Sequence, residues 1–404
     1  MAQQHGFQGP PGMKSRTLLL CLLAFLPLQA GLLHAQSPEQ KLAEEFENYF
    51  RQKITLKGIT GAAFVVATPD GIIRVGTVGY TDTHRRQAVD QDTTFRVASV
   101  SKTFAAGLTG VLVDEGAFGW NDRVVDYVPD FRIKGDASQV RIQHVLGQST
   151  GLIPHAYDNL IEDGVSMDRI KQKYGTLSYI CQPGACYSYQ NSIFSLIEPV
   201  IEKTTSRSYA QLMEEKIFRP LDMKTASVGY EPFVSHPNPA KPHVKVRGGW
   251  ATVDVKPNYY SVAPAAGVNA SALDMGKWLM AQMGARPDVI APGVVETLTE
   301  PRVKTARDTR RKYWRDMVSD AHYGLGWRIY ALGENEIAYH SGWVSGFRAD
   351  LAWSDQHDIG IAVLMNAESN SISEITTTFW QMAFASLPAA DPRQLTASAS
   401  TASP

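Results

Sequence analysis

Strand-like patterns occur near the two ends of this chain and helical patterns fill the middle, and this segregation restricts the folds open to it. Two short apolar runs, residues 61–67 and 72–76, flank the turn Pro69-Asp70-Gly71 and predict a β-hairpin. Strand patterns return only late in the chain, at residues 323–330, 337–340, 347–353 and 359–365. An antiparallel sheet that joins the N-terminal hairpin to the C-terminal strands is the simplest fold that buries both sets.

Helical spacing of apolar residues predicts one helix before the hairpin, several in the middle and one at the end, over residues 39–53, 102–115, 140–146, 193–203, 209–217, 272–283 and 373–387. The predicted fold class is α+β, an α/β sandwich in which the two terminal helices flank the sheet. The sheet lobe takes residues of about 36–95 and 322–390, and a mostly helical lobe takes about 96–321. A binding cleft is expected between the lobes.

The first 35 residues have the pattern of an export signal rather than of a part of the fold. Lys14 and Arg16 precede an apolar run over residues 17–33, and Ala35 supplies a small residue at a cleavage position. A membrane anchor is the alternative, but Pro27 breaks the run and a spanning helix needs about 20 apolar residues. We therefore expect cleavage, a mature domain over residues 36–390 that is periplasmic or secreted without a stable membrane span, and a disordered tail over residues 391–404.

The charge balance gives no electrostatic case for nucleic acid or an anionic membrane as a partner, since the formal net charge is −1 and the signal carries two of the positive charges. A small-molecule substrate and a monomer are expected. Cys181 and Cys186 would form a disulfide in an oxidising compartment or remain free thiols. Neither Cys-x-x-Cys nor His-x-x-x-His spacing occurs, so no metal and no cofactor are expected.

Ser99 and Lys102 stand three residues apart where a helical pattern begins. On a helix, positions i and i+3 share a face, and a neutral lysine there is able to take the serine proton. Near a helix N-terminus the serine also lies close to unpaired backbone N–H groups, which favour an oxyanion. In isolation the pair is equally typical of an N-cap serine beside a solvated lysine.

A second polar cluster, Tyr189-Gln190-Asn191, follows a turn-rich loop. A phenol beside an ammonium is expected to have a lowered pKa and to shuttle a proton. The Asn191 amide is able to hold a lysine and a substrate carbonyl at once. Tyr187 is a competing phenol, but it stands four residues before Asn191 rather than two.

The third cluster, His340-Ser341-Gly342, ends a predicted strand near the C-terminus. An edge strand is able to pair with an extended substrate and to direct one N–H at a developing oxyanion. Gly342 would let the substrate approach the backbone. A strand-end histidine followed by a turn is the plainer interpretation.

These three motifs, in this order and on these elements, resemble the serine β-lactamase and penicillin-binding protein superfamily. The resemblance is closest to the class C β-lactamase-like branch, which also includes DD-peptidases and related esterases and amidases. The segment 95–104, Phe-Arg-Val-Ala-Ser-Val-Ser-Lys-Thr-Phe, is similar to the nucleophile segment of that branch, and residues 266–275 and 323–327 are also similar to it. The resemblance extends over about residues 40–387.

The resemblance implies a role for each motif residue. Ser99 would be the acylated nucleophile, and Lys102 would assist its deprotonation. Tyr189 would be the proton shuttle, and Asn191 would orient Lys102 and contact the substrate. The backbone N–H groups of Ser99 and Trp343 would form the oxyanion hole.

The third motif departs from the class C pattern, which usually has Lys-Thr-Gly where this chain has His340-Ser341-Gly342. The resemblance implies substrate contacts from these three residues and from Trp343, with Ser341 hydrogen-bonded to a substrate carboxylate. Since histidine is mostly neutral at pH 7, it is a weaker anchor for a carboxylate than lysine. Arg348 would supply the missing charge or lie on the strand surface, and the basic segment 302–315 is expected to be a solvated loop.

The expected function is that of an exported serine hydrolase that forms an acyl-enzyme on Ser99, with β-lactam amides as the first substrate class. The alternative is a D-alanyl-D-alanine carboxypeptidase or endopeptidase, or an esterase or amidase of the same fold, with the same first step. A non-enzymatic penicillin-binding or cell-wall-associated protein is a third alternative, which the presence of the serine, lysine, tyrosine and asparagine disfavours.

Overall fold

The computed structural model describes residue 6 and residues 36–84 and 86–389. The strands are β1 Gly61–Thr68, β2 Gly71–Gly79, β3 Phe95–Arg96, β4 Ser227–Val228, β5 His243–Val246, β6 Gly249–Thr252, β7 Val268–Ala270, β8 Val303–Lys304, β9 Asp320–Tyr323, β10 Arg328–Leu332, β11 Asn335–Val344, β12 Phe347–Ser354 and β13 Ile359–Met365. The α-helices are α1 Pro38–Leu56, α2 Ser101–Asp114, α3 Val124–Tyr127, α4 Ile142–Leu146, α5 Asp158–Glu162, α6 Met167–Lys173, α7 Ile197–Thr205, α8 Tyr209–Met213, α9 Tyr230–Val234, α10 Ala263–Ala266, α11 Ala272–Gln282, α12 Pro292–Thr299 and α13 Ser371–Ser386. Short 3-10 turns occur at Ala98–Val100, Ala137–Gln139, Tyr174–Thr176, Phe194–Leu196, Asn258–Val262, Asp308–Arg310 and Asp355–His357, with a π-helical turn at Glu214–Phe218.

The main sheet has eight strands in the order β2-β1-β13-β12-β11-β10-β9-β8. β1 joins the hairpin to the C-terminal strands by pairing antiparallel with β13, Ala62 opposite Met365 and Ala67 opposite Gly360. Every residue of β1 is buried, as its continuous apolar run indicates for a strand covered on both faces. The predicted α+β architecture, with one antiparallel sheet built from both ends of the chain, is confirmed.

The terminal helices α1 and α13 pack together on one face of this sheet. Phe46 of α1 meets Phe64 of β1 edge-to-face with ring centroids 5.0 Å apart, and meets Phe379 of α13 at 5.2 Å. The opposite face packs against the helical lobe, where Phe104 of α2 stacks on Trp278 of α11 at 4.2 Å. The nucleophile segment therefore lies on the face of the sheet away from the terminal helices.

Two predicted boundaries are wrong, both near the edge of the sheet. The strand predicted over residues 323–330 is two strands, because backbone crowds the turn between them: a Cβ on Gly324 would lie 2.3 Å from the Leu298 carbonyl oxygen. Gly326 has a φ of +77°, and a Cβ there would lie 2.6 Å from the Lys102 carbonyl oxygen. The sheet also takes β8 from the segment assigned to the helical lobe, since a two-residue strand is too short to show a pattern.

The predicted export signal over residues 1–35 lies outside the described residues except for residue 6, and the tail over residues 391–404 lies outside them entirely. Within the described ranges, no helix combines the length and the apolar character needed to cross a membrane.

Candidate active site

Ser99 lies in the 3-10 turn that immediately precedes α2. The helix begins at Ser101, one residue before the predicted start, so Lys102 belongs to its first turn. Ala98 has a φ of +50°, in the left-handed region that residues other than glycine rarely adopt. A strained residue directly before a half-buried serine is typical of a side chain held in one fixed orientation.

Lys102 is completely buried against aromatic rings. Its Nζ lies 4.6 Å from the ring centroid of Tyr189 and 5.3 Å from that of Phe194. Burial is the largest influence and lowers the pKa of Lys102 well below the usual 10.5. The carboxylate of Asp158 partly opposes this change in pKa, and the charge of Arg328 adds to it. Burial therefore favours the neutral amine over the ammonium.

The hydrogen bonds of Lys102 orient its lone pair. Nζ lies 2.7 Å from Asn191 Oδ1, 3.1 Å from the Ala265 carbonyl oxygen and 3.5 Å from Ser99 Oγ. A neutral amine has two hydrogens and one lone pair. Because the amide and carbonyl oxygens only accept hydrogen bonds, they take the two hydrogens and leave the lone pair for the Ser99 hydroxyl. A general base for this serine needs that arrangement.

Tyr189 is a protonated phenol beside the same pair. Burial raises the pKa of Tyr189, and the hydrogen bond with Ser99 and the charge of Arg328 offset only part of the increase. The expectation of a lowered phenol pKa is therefore wrong, because burial of the phenol outweighs the groups that would stabilise a phenolate. In this state Tyr189 is able to donate a proton but not to accept one.

Asn191 connects the lysine to an acidic residue that sequence reasoning missed. Its Nδ2 donates a hydrogen bond to Asp158 Oδ2 at 3.0 Å, while its Oδ1 accepts from Lys102. The same Asp158 oxygen lies 2.9 Å from His155 Nδ1. Asp158 begins α5, 33 positions before Asn191, so no local spacing in the sequence links the two residues.

The loop that carries Tyr189 is fixed at several points. The backbone N–H of Ser188 donates to the Gln148 carbonyl oxygen, and the N–H of Gln190 donates to Gln148 Oε1, both at 2.7 Å. Cys181 and Cys186 form a disulfide with their Cα atoms 6.3 Å apart. Of the two alternatives left open by the sequence, the structure shows the bridge rather than the free thiols.

His340 is completely buried on β11 and both of its ring nitrogens have partners. Nδ1 lies 3.0 Å from the Ser341 carbonyl oxygen, and Nε2 lies 3.1 Å from Tyr323 Oη. Because a carbonyl oxygen only accepts, Nδ1 carries the proton and Nε2 accepts from the phenol. Burial lowers the pKa of His340 well below its usual range, and the charge of Arg328 acts in the same direction. His340 therefore positions its neighbours as a neutral ring and offers a substrate carboxylate no charge.

β11 is an internal strand of the sheet, but the third motif lies on a part of it that is paired on one side only. β12 pairs with it as far as Val344, whereas β10 pairs with it only as far as Tyr339. From His340 onward, one side of β11 thus has no strand partner among the described residues. The difference arises because β10 begins only at Arg328, after the crowded glycine turn.

Gly342 is required by the nucleophile segment, and its role in letting a substrate approach the backbone stays a prediction. A Cβ at this position would lie 2.2 Å from the Val97 carbonyl oxygen and 3.1 Å from Ala98 Cβ. Close backbone contact of β11 with the turn before Ser99 is therefore possible only with glycine here. The next side chain, Trp343, is 63% exposed and donates from Nε1 to a glutamate, and the role of its backbone N–H in an oxyanion hole stays a prediction.

Arg311 supplies a positive charge beside the third motif. Its Nη2 lies 3.3 Å from Ser341 Oγ, and its Nη1 lies 3.2 Å from Tyr330 Oη. Burial by itself would lower the pKa of Arg311, but the phenols of Tyr330 and Tyr339 raise it above the usual range. The expectation of a solvated loop over residues 302–315 is therefore wrong at this residue, which reaches back to the sheet.

Arg348, which the sequence suggested for this charge, serves a different group. It pairs across β11 and β12 with Trp343, and its guanidinium lies 5.8 Å from that ring. Burial raises the pKa of Asp350 to about 6, and the charge of Arg348 is the first influence that opposes the increase. Arg348 thus supports a buried carboxyl group in the sheet.

A cavity of about 620 Å³ opens beside Tyr189. An ion pair between Arg328 and Asp308 forms part of its wall, and Tyr187 and the disulfide-bonded Cys186 form another part. The guanidinium of Arg328 lies 5.7 Å from the Tyr189 ring and 5.8 Å from the Tyr187 ring. This cavity provides open space next to Tyr189.

Comparison with known proteins gives the family. The family model described as Beta-lactamase matches residues 46–379, which is most of the chain. The chain belongs to the β-lactamase family. Within this family it is 23% identical over 341 residues to Protein flp of Staphylococcus aureus strain MW2, a match over 78% of this chain and 61% of that protein. It is 24% identical over 303 residues to Unguisins hydrolase ungD' of Aspergillus campestris, a match over 72% of this chain and 55% of that protein. The chain thus spans less than two thirds of the length of either relative.

Solved structures show the same fold. The octameric penicillin-binding protein homologue from Pyrococcus abyssi superposes with a TM-score of 0.74 at 20% identity, over 85% of this chain and 77% of that one. EstCE1, described as a hydrolase with promiscuous acyltransferase activity, superposes with a TM-score of 0.73 at 15% identity, over 86% of this chain and all of that one. The β-lactamase fold therefore occurs in neighbours with different described activities, and the site must distinguish them.

In this member of the β-lactamase family, the structure brings Ser99, Lys102, Tyr189 and Asn191 into one connected group. Within the described part of the chain, no cluster of three or more histidine, cysteine and acidic side chains could hold a metal ion. The site residues missed by sequence reasoning are Asp158, Arg311 and the Arg328–Asp308 pair. A basic segment was the only signal for Arg311, and none of the others had a local signal.

Proposed function

We propose that this protein hydrolyses amides or esters through an acyl-enzyme on Ser99, with β-lactams as the first substrate class. The observation that carries the proposal is the buried Lys102 Nζ, which lies 3.5 Å from Ser99 Oγ and makes its other two hydrogen bonds to oxygens that only accept. Tyr189 adds a protonated phenol beside the same two groups. A base for the nucleophile and an acid for the leaving group are therefore present in the resting state.

The first half-reaction balances with these groups alone. Ser99 Oγ attacks the substrate carbonyl carbon, and its proton passes to Lys102 Nζ. The tetrahedral intermediate collapses by breaking the bond to nitrogen or oxygen, and Tyr189 gives the departing atom a proton. Transfer of a proton from Lys102 to the resulting phenolate restores both groups. Water then attacks the ester with the same two groups, releasing the acid and free Ser99.

Arg311 supports a substrate that carries a carboxylate on the leaving-group side. Its guanidinium reaches Ser341 Oγ at 3.3 Å and would add a charge that His340 does not supply. β-Lactams and peptides ending in D-alanine both carry such a carboxylate. Arg311→Ala is expected to raise KM for these substrates by 10- to 100-fold, the usual worth of a charged hydrogen bond.

Hydrolysis of simple esters or other amides is the second candidate. The observation that favours it is the neutral His340, whose two ring nitrogens both have hydrogen-bond partners within the protein. The third motif therefore has no charge of its own. The description of EstCE1 as a hydrolase with acyltransferase activity is consistent with such a substrate in this fold. For a neutral ester, loss of Arg311 is expected to change KM little.

The decisive experiment is a time course with benzylpenicillin, a cephalosporin, a carbapenem, a D-alanyl-D-alanine peptide and 4-nitrophenyl acetate, followed by intact-mass measurement. Wild type is expected to gain the mass of the acyl group, and Ser99→Ala is expected to gain none. Turnover of a lactam supports the first candidate, and a stable lactam adduct with peptide or ester turnover supports the second. Equal labelling of both proteins, or no reaction with any compound, would contradict acyl transfer at Ser99.

We also propose that the mature protein is exported. The Cys181–Cys186 disulfide supports this proposal, because disulfides persist in oxidising compartments and are rare in the cytosol. The mass of the protein isolated from cell fractions tests it: removal of residues 1–35 is expected, with the mature chain outside the cytoplasm. Full-length protein confined to the cytoplasm would contradict it.

A further inference from the structure

Arg96 is a buried cation without an anionic partner among the residues that the structure describes. Its residue is 3% exposed, and its only hydrogen-bond acceptor among the described residues is the Lys256 carbonyl oxygen, 3.4 Å from Nη1. Nε and Nη2 have no hydrogen-bond partner in the described part of the chain. The guanidinium carbon lies 4.1 Å from the centre of the Tyr260 ring, which stabilises a cation but accepts none of these N–H groups.

This state is costly for a guanidinium, since buried charges in proteins are normally paired and hydrogen-bonded. Burial lowers the pKa of Arg96, and the influence that opposes it comes from Tyr260. The position is nevertheless well defined: Arg96 pairs with Asn269 across β3 and β7, and Asn269 Oδ1 accepts from Tyr260 Oη at 2.6 Å. The fold thus holds an incompletely paired cation in a fixed place.

Arg96 forms part of the wall of a cavity of about 360 Å³. The other walls include Trp343 and Val344 of β11 and Tyr259. Two of these segments also build the reactive centre, because Arg96 is three residues before Ser99 and Trp343 follows the glycine that contacts the nucleophile turn. The cavity of about 620 Å³ has in its wall Tyr189, the proposed acid for the leaving group, and this one does not. The second cavity therefore suits the acyl part of a substrate.

The acidic residues of this cavity already accept hydrogen bonds from neutral donors. Glu368 accepts from Trp343 Nε1 at 3.2 Å and from the Gly346 N–H at 2.7 Å. Glu162 Oε1 accepts from Tyr259 Oη at 3.1 Å. Neither carboxylate is hydrogen-bonded to Arg96, and Nε and Nη2 are buried atoms without a partner in the described part of the chain.

We propose that Arg96 and this cavity form a subsite for a carboxylate carried by the acyl part of the substrate. The proposal rests on the acyl-enzyme function proposed above, and it adds a substrate class: acyl groups that end in a carboxylate. A carboxylate has the two oxygens needed to accept from one guanidinium in parallel, and the buried Nε and Nη2 reach such a group when the Arg96 side chain turns toward the cavity. Each productive encounter then completes the pairing that the free protein lacks.

The test compares two esters that differ in one group: 4-nitrophenyl hydrogen adipate, which ends in a carboxylate, and its 6-carboxamide analogue, which is neutral. We measure kcat/KM for both and express the preference as their ratio. Wild type is expected to prefer the anionic ester by 10- to 100-fold. Arg96→Met is expected to remove this preference. Arg96→Lys is expected to retain part of it, because lysine keeps the positive charge but lacks the planar guanidinium that donates two parallel hydrogen bonds.

Lys256→Met is the matched control, since it removes an exposed positive charge from the same wall. It is expected to change the ratio less than threefold. A wild-type ratio near one, or an equal fall of the ratio in Arg96→Met and Lys256→Met, would overturn the subsite. If Arg96→Met does not fold, the wild-type ratio and Arg96→Lys still decide the question.

Binding separates this proposal from the proposed function. With Ser99→Ala, calorimetry measures the Kd of each ester without turnover, and the carboxylate subsite predicts at least tenfold tighter binding of the anionic ester. Absence of hydrolysis by wild type with this binding preference intact would contradict the hydrolase and support the subsite. Equal Kd values, with normal hydrolysis of both esters, would contradict the subsite and support the hydrolase.

Discussion

Replacement of Gly342 by alanine is the sharpest test of how β11 and the nucleophile turn fit together. The added Cβ would lie 2.2 Å from the Val97 carbonyl oxygen, whereas carbon–oxygen contacts settle at about 3.3 Å or more. Both atoms belong to backbone, and Ala98 Cβ at 3.1 Å blocks a sideways shift. The strand and the turn must therefore separate by about 1 Å.

This separation moves Ser99 relative to β11, because Val97 is only two residues before the nucleophile. A misplacement of about 1 Å costs roughly 100-fold in rate, equivalent to about 2.7 kcal/mol in the activation barrier. The overpacking itself is expected to cost about 1–3 kcal/mol of the free energy of unfolding. Gly342→Ala should therefore fold but lose about 99% of kcat/KM.

The assay measures kcat/KM on 4-nitrophenyl acetate, with the midpoint of thermal unfolding recorded for the same sample. Gly293→Ala is the matched control, since an added Cβ in α12 meets nothing within 4 Å and its φ is ordinary. We expect that control to keep its activity and to gain up to about 1 kcal/mol of stability. If Gly342→Ala keeps activity within threefold of wild type, the close contact with Val97 does not position the serine and the reasoning is wrong.

Three further predictions concern the site. Asp158→Asn should shift the rising limb of the pH–rate profile to lower pH, because the Asp158 carboxylate raises the pKa of Lys102 and the base must be neutral to act. Tyr189→Phe should lower kcat roughly 10²- to 10⁴-fold on an amide but much less on a 4-nitrophenyl ester, whose leaving group needs no proton. Cys181→Ser should lower the free energy of unfolding by roughly 2 kcal/mol, because the disulfide to Cys186 closes one short loop and so restricts the unfolded chain. Urea denaturation of the variant and of wild type with its disulfide intact measures this difference.

The architecture could be predicted because its signals are local. Two apolar runs around Pro69-Asp70-Gly71 predict the hairpin, and the late strands have a similar pattern, so one sheet follows once both sets must be buried. The break between β9 and β10 could not be predicted in the same way. Gly324 and Gly326 exclude side chains because of backbone atoms from Leu298 and Lys102, and those contacts exist only in the folded chain.

The residues of the site also differ in whether local sequence spacing or only the folded structure indicates their contacts. Ser99 and Lys102 lie on adjacent turns, so their spacing carries information about their contact. Arg311 reaches a hydroxyl 30 positions later, and in the sequence it is one basic residue among several. The protonation states also depend on the fold: burial, which no sequence spacing reports, makes Lys102 neutral and keeps Tyr189 protonated.

The pairing of β1 with β13 has a consequence for how the chain acquires its structure. Ala62 pairs with Met365, so about 300 further residues must be synthesised before β1 of the N-terminal hairpin gains its partner strand β13. Until then the hairpin exposes unpaired backbone along a strand that is apolar up to Ala67, the kind of edge that templates aggregation. The rate-limiting step of folding should therefore be the arrival of the C-terminal strands, and chains that end before Ile359 should aggregate rather than form a smaller stable domain.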